Sequence, residues 1–404
     1  MTVRILVATL FPAALAAASC GSAQSGDSAA TPAATPASGA AAVAGGEPVD
    51  LPGEAPFAVT AHGAFDEPWA IAFAPGTSTL FITERPGTLK FVDLPSGRTG
   101  TVSGVPQVDY GGQGGLGDVA FLPSEASPTL ERRTIYLTWA EAGQGDTRGA
   151  AMGRGTLLCG DAAACRIEGL SVIWRQQPKV TGRGHYSHRI AIAPDGQHLF
   201  LASGDRQKMQ PAQDLANNLG AVLRLNLDGT PAAGNPFAER GGVSREIWSY
   251  GHRNILGLEF DPQGRLWALE HGPRGGDELN LIERGANYGW PLVSEGVHYD
   301  GRPIPDPDTR PDLAQAAIGW TPVIAPGGFL FYSGELWPQW RGVALLTGLL
   351  SQALIPVAID GTQARELARY RFPRRLRDIA EAPDGTLWLI EDEEGGRLLR
   401  LTPL

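Results

Sequence analysis

The stretch HRIAIAPDGQHLFLASGDR, from His188 to Arg206, decides the fold. An alternating apolar segment runs into Pro-Asp-Gly and emerges as a second alternating segment, the pattern of two antiparallel strands joined by a tight turn. The unit recurs as PWAIAFAPGTSTLFIT (Pro68–Thr83), ILGLEFDPQGRLWALEHG (Ile255–Gly272) and LRDIAEAPDGTLWLIED (Leu376–Asp392), with a looser copy, GLGDVAFLP, ending at Pro123. Alternation with period two predicts that each strand buries one face. The turns near Pro75, Pro123, Pro194, Pro262 and Pro383 recur at intervals suited to a four-stranded unit with variable loops. The gap after Pro262 has room for one more unit near Phe329–Asp360. The prediction is an all-β protein, a six-bladed β-propeller of four-stranded antiparallel blades, with no helix of ordinary length.

Composition agrees. Glycine is 53 and proline 32 of 404 residues, above the usual shares of roughly 7% and 5%, which disfavours a helical bundle. A net charge of −10 argues against nonspecific nucleic-acid binding, which needs a basic footprint. Met1–Cys20 has the build of an export signal, with Arg4 before an apolar Ile5–Ala18. LAAASC, ending at Cys20, resembles a lipobox, so Cys20 is a candidate lipidation site and the protein is expected to be exported, periplasmic and held at a membrane only by that anchor. Residues 21–48, rich in Ala, Ser, Thr and Pro, are expected to be a flexible linker, and 49–404 the folded domain.

A propeller gathers loops from every blade around one mouth of its channel, where chemistry is expected. Gly112–Gly117 matches a dinucleotide fingerprint by letters, but a strand follows it where a helix is required. In Gly184-His-Tyr-Ser-His-Arg189, two histidines three apart on an extended segment point to opposite faces, so they are not expected to chelate one metal. One of them can serve as a general base or bond a turn carbonyl. Arg253 in Tyr250-Gly-His-Arg-Asn254 offers a donor fork suited to carboxylate or quinone oxygens, or to a neighbouring acid. Glu270-His-Gly-Pro-Arg-Gly-Gly-Asp-Glu278 brings hard oxygen donors of the kind Ca²⁺ takes, without EF-hand spacing. Arg375 and Arg377 share a face and call for a multiply charged anion between them, unless they form a solvated basic edge. Trp320 suits a sugar-site wall or simple packing. Cys159 and Cys165 flank Gly-Asp-Ala-Ala-Ala and, in an exported protein, are expected to be disulfide-bonded across a hairpin tip.

In order along the chain, PWAIAF with TERPG, GQGGLGDVAF, GHYSHR with SGDR, AQDLANNLG with LRLNLDG, YGHRN, EHGPRGGDELNLIERGANYGWP, WTPVIAP and RLRDIAEAPDG resemble the soluble quinoprotein sugar dehydrogenases. These are the PQQ-dependent (pyrroloquinoline quinone) glucose and aldose sugar dehydrogenases, and the resemblance spans Pro68 to Leu401. It implies a six-bladed propeller that uses PQQ and Ca²⁺ to oxidise aldoses at the anomeric carbon to lactones, passing electrons to an external acceptor. It implies His185 as the base; Arg253 and Asn254 near the quinone oxygens, Arg253 also stabilising developing charge; Arg375 and Arg377 on the cofactor carboxylates; and Gln113 at both cofactor and sugar. It further implies the Gly272 and Pro273 carbonyls at a cofactor-linked calcium, Glu278 and the Tyr288 carbonyl at a second, and Trp320 at the sugar. Leu350 stands where some members carry a cofactor-binding lysine. The rival readings are a propeller lactonase or other metal hydrolase, and a non-catalytic cell-surface sugar-binding propeller.

Overall fold

The computed structural model describes residues 46–160 and 164–404. The export signal, Cys20 and nearly all of the expected linker lie outside the described residues. Glu47–Pro48 already pairs with Thr60 and Ala61, so ordered pairing starts just before Val49.

Six strands line the central channel: Pro68–Phe73, Leu116–Phe121, Ser187–Ile192, Ile255–Phe260, Pro326–Phe331 and Leu376–Glu381. Each touches the next, and the sixth returns to the first. Each begins a blade whose later strands follow outward in antiparallel order, giving a six-bladed β-propeller. The last blade takes Leu376–Glu381, Leu387–Glu391 and Glu394–Pro403 from the C-terminus and Phe57–Asp66 from the N-terminus, with Phe57 opposite Pro403 and Val59 opposite Leu401. That pairing closes the ring and removes two free sheet edges. Phe57, Val59, Leu399 and Leu401 are buried in one core, each contributing about 2 kcal/mol on burial.

The turns at Pro75, Pro123, Pro194, Pro262 and Pro383 each join a channel strand to the second strand of its blade. One expectation needs correction. The strands do not bury one face: Thr79–Glu84 and Leu387–Glu391 are buried at every position, because each blade is covered on both sides by its neighbours. The alternation is between a larger and a smaller side chain. Ile190 packs toward the second blade with Tyr136 and Leu201, and Ala191 toward the fourth with Leu258 and Ala268. Blades 1 and 2 are not separate sheets. The 11-residue strand Cys165–Arg175 reaches far enough out to pair in parallel with Arg98–Ser103. Cys159 and Cys165 lie opposite each other and are joined as a disulfide. Among the described residues the helices are short 3-10 turns, and none is long and apolar enough to cross a membrane.

Candidate functional site

The chemistry-bearing residues occupy two kinds of position: just before or at the start of a channel strand, or just after the second strand of a blade. Antiparallel geometry puts both at the same end of the channel. Gln113, His185, Asn254, Arg375 and Arg377 are of the first kind; Arg85, Asp205, His271 and Asp392 are of the second.

His185 is buried at this mouth, with Nδ1 2.6 Å from Oδ1 of Asp205. Asp205 has no solvent exposure. It also accepts the Trp290 indole N–H at 2.8 Å and the backbone N–H groups of Gln207 and Met209 at 2.8 and 3.2 Å. Burial works to raise the Asp205 pKa but is outweighed by the hydrogen bond and charge of His185, so it lies below the usual carboxylate range. An ionised carboxylate only accepts, so Nδ1 of His185 carries the proton and Nε2 keeps its lone pair. Burial lowers the His185 pKa; Asp205 opposes this and Arg253 reinforces it, leaving the ring neutral below its ordinary titration range. The Gln113 side-chain oxygen accepts the His185 backbone N–H at 2.6 Å. The segment is not extended: His185, Ser187 and His188 have φ of 51°, 62° and 79°. His188 nevertheless parts from His185. It stacks on Tyr186 and meets Trp69 edge-on, neither ring nitrogen has a partner, and burial pushes its pKa down to about 3.

A cavity of about 150 Å³ opens beside this pair, walled by His185, Arg253, Trp290, Tyr299, Met209 and Pro273 among others. Arg253 donates to the His271 carbonyl at 3.1 Å and the Tyr299 hydroxyl at 3.3 Å, and its buried Nε has no partner. A second cavity of about 330 Å³ runs into the channel between Gln113, Asn254, His271, Arg375, Arg377 and Asp392, with Trp69 and Tyr186 as aromatic walls.

Asp392 answers part of the question raised by the two arginines. Its carboxylate lies between them, accepting from Arg375 Nε at 2.9 Å and from Arg377 Nε and Nη2 at 2.9 and 2.7 Å. Both Nη atoms of Arg375 and Nη1 of Arg377 make no hydrogen bond among the described residues. The pair is therefore held by an internal acid and still presents donors to an anion. A planar, aromatic polycarboxylate suits this cavity in volume, walls and charge.

Gly272, Pro273, Glu278 and Tyr288 gather around a chamber of about 20 Å³, which shares Arg253, Pro273 and Trp290 with the His185 cavity. Glu270 also lines it. Burial, and then the Glu270 charge, raise the Glu278 pKa to about 8. A buried and a half-buried carboxylate beside an ion-sized space are the setting that a divalent cation stabilises. Among the described residues no three His, Cys, Asp or Glu side chains are grouped to hold a metal, so such an ion depends on backbone carbonyls as well as Glu278.

One expected residue does not face these cavities. Trp320 is buried between blades 4 and 5 with Trp267 and Phe329, and its indole donates to Glu366 at 2.9 Å. Trp290 and Tyr299 supply the aromatic walls at His185 instead. Leu349, not Leu350, lines the channel cavity; Leu350 is 60% exposed. Asp205 was missed as a partner of His185, although its place after the second strand of its blade is close to that of His271 and Asp392 in theirs.

The model of the family described as "Glucose / Sorbosone dehydrogenase" matches residues 65–400. The chain belongs to this family. It is 36% identical over 343 residues to the aldose sugar dehydrogenase YliI of Escherichia coli K12, covering 84% of this chain and 90% of the relative. Among solved structures, the soluble aldose sugar dehydrogenase of Escherichia coli in the apo-form aligns with a TM-score of 0.78 and 35% identity, over 86% of this chain and 99% of that one. The PQQ-bound aldose sugar dehydrogenase of Streptomyces coelicolor aligns with a TM-score of 0.69 and 27% identity, over 87% and 99%. Membership makes sugar dehydrogenase, an oxidoreductase activity, the family setting of the His185 site.

Proposed function

We propose that the protein oxidises aldoses at the anomeric carbon to lactones, with PQQ in the channel cavity and Ca²⁺ in the adjoining chamber. The observation that carries this is a neutral, carboxylate-anchored His185 opening on a sugar-sized cavity that adjoins a cation-walled channel. PQQ bound there supplies a two-electron acceptor for the hydrogen leaving the anomeric carbon. Arg375 and Arg377 would hold its carboxylates through their free donors, and Gln113 and Asn254 its polar edge. Gly272, Pro273, Glu278 and Tyr288 would hold calcium.

His185 Nε2 takes the proton of the anomeric hydroxyl. Asp205 holds the ring in the needed tautomer and stabilises the imidazolium that results. Arg253 would set its guanidinium near the quinone oxygens and stabilise the negative charge that develops there. Trp290 and Tyr299 shape the sugar wall and reduce access of water. An external acceptor collects the electrons. The export signal and Cys20 support a periplasmic, lipid-anchored protein; incorporation of labelled fatty acid that vanishes in Cys20→Ala tests the anchor.

The deciding experiment titrates the cofactor-free protein with PQQ and Ca²⁺ and measures dye reduction over a panel of aldoses. Sugar-dependent reduction in the loaded protein alone supports the proposal, and His185→Gln should keep PQQ binding while losing most turnover. No PQQ binding and no reduction overturn it in favour of a hydrolase or a binding propeller.

A further inference from the structure

Arg206 lies behind His185 and has no role in the mechanism above. Its side chain is completely buried, yet among the described residues no carboxylate is within ion-pairing distance. Its donors go mainly to backbone oxygens instead, with Nη1 also 3.5 Å from the Gln176 side-chain oxygen. Nε donates to the Gly184 carbonyl at 2.8 Å, Nη1 to the Arg148 carbonyl at 2.7 Å and Nη2 to the Gly182 carbonyl at 2.5 Å. The Arg206 backbone N–H reaches the His185 carbonyl at 3.2 Å. The guanidinium sits 3.7 Å from the centroid of the Tyr186 ring. One side chain thus holds the chain on both sides of His185.

Burying a cation without a carboxylate is costly; burial pushes the Arg206 pKa down to about 10. The surroundings show what that cost supports. Ten non-glycine residues among those described have positive φ, and six of them lie between His185 and Met209. Such backbone persists only where its surroundings over-determine it. Released, the turn would relax and carry the imidazole away from Asp205 and the sugar cavity.

We propose that Arg206 is the positioning residue of the His185 base: its guanidinium clamps the turn from Gly182 to Tyr186 so that Nδ1 stays on Asp205 while Nε2 faces the sugar. The inference rests on His185 being the base. Lysine keeps the charge but lacks the planar fork, and can meet about one of the three carbonyls.

The test compares the full chain with its Arg206→Lys and Arg206→Met variants. The first readout is the low-field proton resonance of His185 Nδ1–H in the cofactor-free protein, assigned by its loss in His185→Gln. The second is kcat and KM after loading with PQQ and Ca²⁺. In Arg206→Met the resonance should shift or vanish, and kcat should fall about 100-fold, as for a base displaced by about 1 Å. Sugar KM and PQQ affinity should stay within about threefold, and Arg206→Lys should lie between. If Arg206→Met does not fold, the lysine variant decides. A folded variant with the wild-type resonance and kcat overturns the proposal, as does an effect on KM alone or a lysine variant that cannot fold. Wild-type turnover in His185→Gln would sink the base assignment separately, because the resonance needs neither sugar nor cofactor.

Discussion

Replacing Asp205 with asparagine probes the site at its centre. In the native protein Oδ1 accepts from His185 and the Gln207 backbone, and Oδ2 from Trp290 and the Met209 backbone. Asparagine has one acceptor oxygen, so either orientation sets an amide N–H₂ against two buried donors. With the amide nitrogen toward Trp290 and Met209, two donors lose their acceptor, at about 1–3 kcal/mol each. With it toward His185, the ring must turn its Nδ1 lone pair inward and move its proton to Nε2, which abolishes the base. The two arrangements share the damage: stability should fall by about 2 kcal/mol or more, and kcat by about 10³-fold, roughly 4 kcal/mol of barrier. The wild-type acid limb should lie below the ordinary histidine range, because burial lowers the His185 pKa. Asp205 favours the imidazolium, so its neutralisation should move the limb further toward acid. Steady-state kinetics across pH, beside thermal denaturation of the same samples, give all three quantities. A kcat within threefold of wild type would refute the dyad.

Other perturbations reach the site by different routes. A Cβ on Gly204 would sit 2.1 Å from the His185 carbonyl oxygen, where ordinary contact begins at 3.4 Å; Gly204→Ala should displace His185 by about 1 Å and cost about 100-fold in kcat, and a wild-type kcat in the folded variant would contradict it. His188 is buried neutral with a pKa near 3, so the unfolded chain binds the extra proton between that value and its ordinary titration range. Its share of stability should fall as pH drops through this window, by about 1.4 kcal/mol per unit; denaturant titrations of His188→Phe should show a shallower acid-side slope, and an unchanged slope would refute it. Ca²⁺ should raise the melting temperature of the cofactor-free protein, whereas Glu278→Gln, which keeps an uncharged side chain beside Glu270, should melt no lower than wild type without calcium and lose the calcium response. An equal response in both would remove Glu278 from the metal site.

The blades were legible because each turn from channel strand to second strand carries its own proline, and five of the six a glycine as well, a local signal that survives the variation in outer loops. The burial pattern was not, since a strand stacked between neighbours is buried on both faces, and Ile-Ala alternation then records how closely two blades approach. Residues entering a channel strand, such as His185, Asn254 and Arg377, lie beside that strong signal. Asp205 and Arg206 lie within it as well, but their roles depend on contacts 20 and 22 residues back, which spacing does not reveal. Trp320 turns away from the site for a finer reason. An aromatic beside a loop can turn into the core when an acceptor such as Glu366 waits there.

The charges of the site follow one logic. At the base, every polar group is committed: Asp205 accepts four donors, Arg206 spends its guanidinium on carbonyls, and His185 keeps only Nε2 free. Along the channel, commitment is partial. Asp392 takes the inner edges of two arginines, and Arg253 retains an unpartnered Nε. Rigid groups suit proton transfer, where a displacement of about 1 Å costs orders of magnitude. Spare donors suit a ligand that arrives with its own charges and completes the set. The division predicts which changes affect rate and which affect loading. Substitutions behind His185 should lower kcat with the cofactor still bound, whereas Arg375→Ala should weaken cofactor binding and leave the His185–Asp205 hydrogen bond intact.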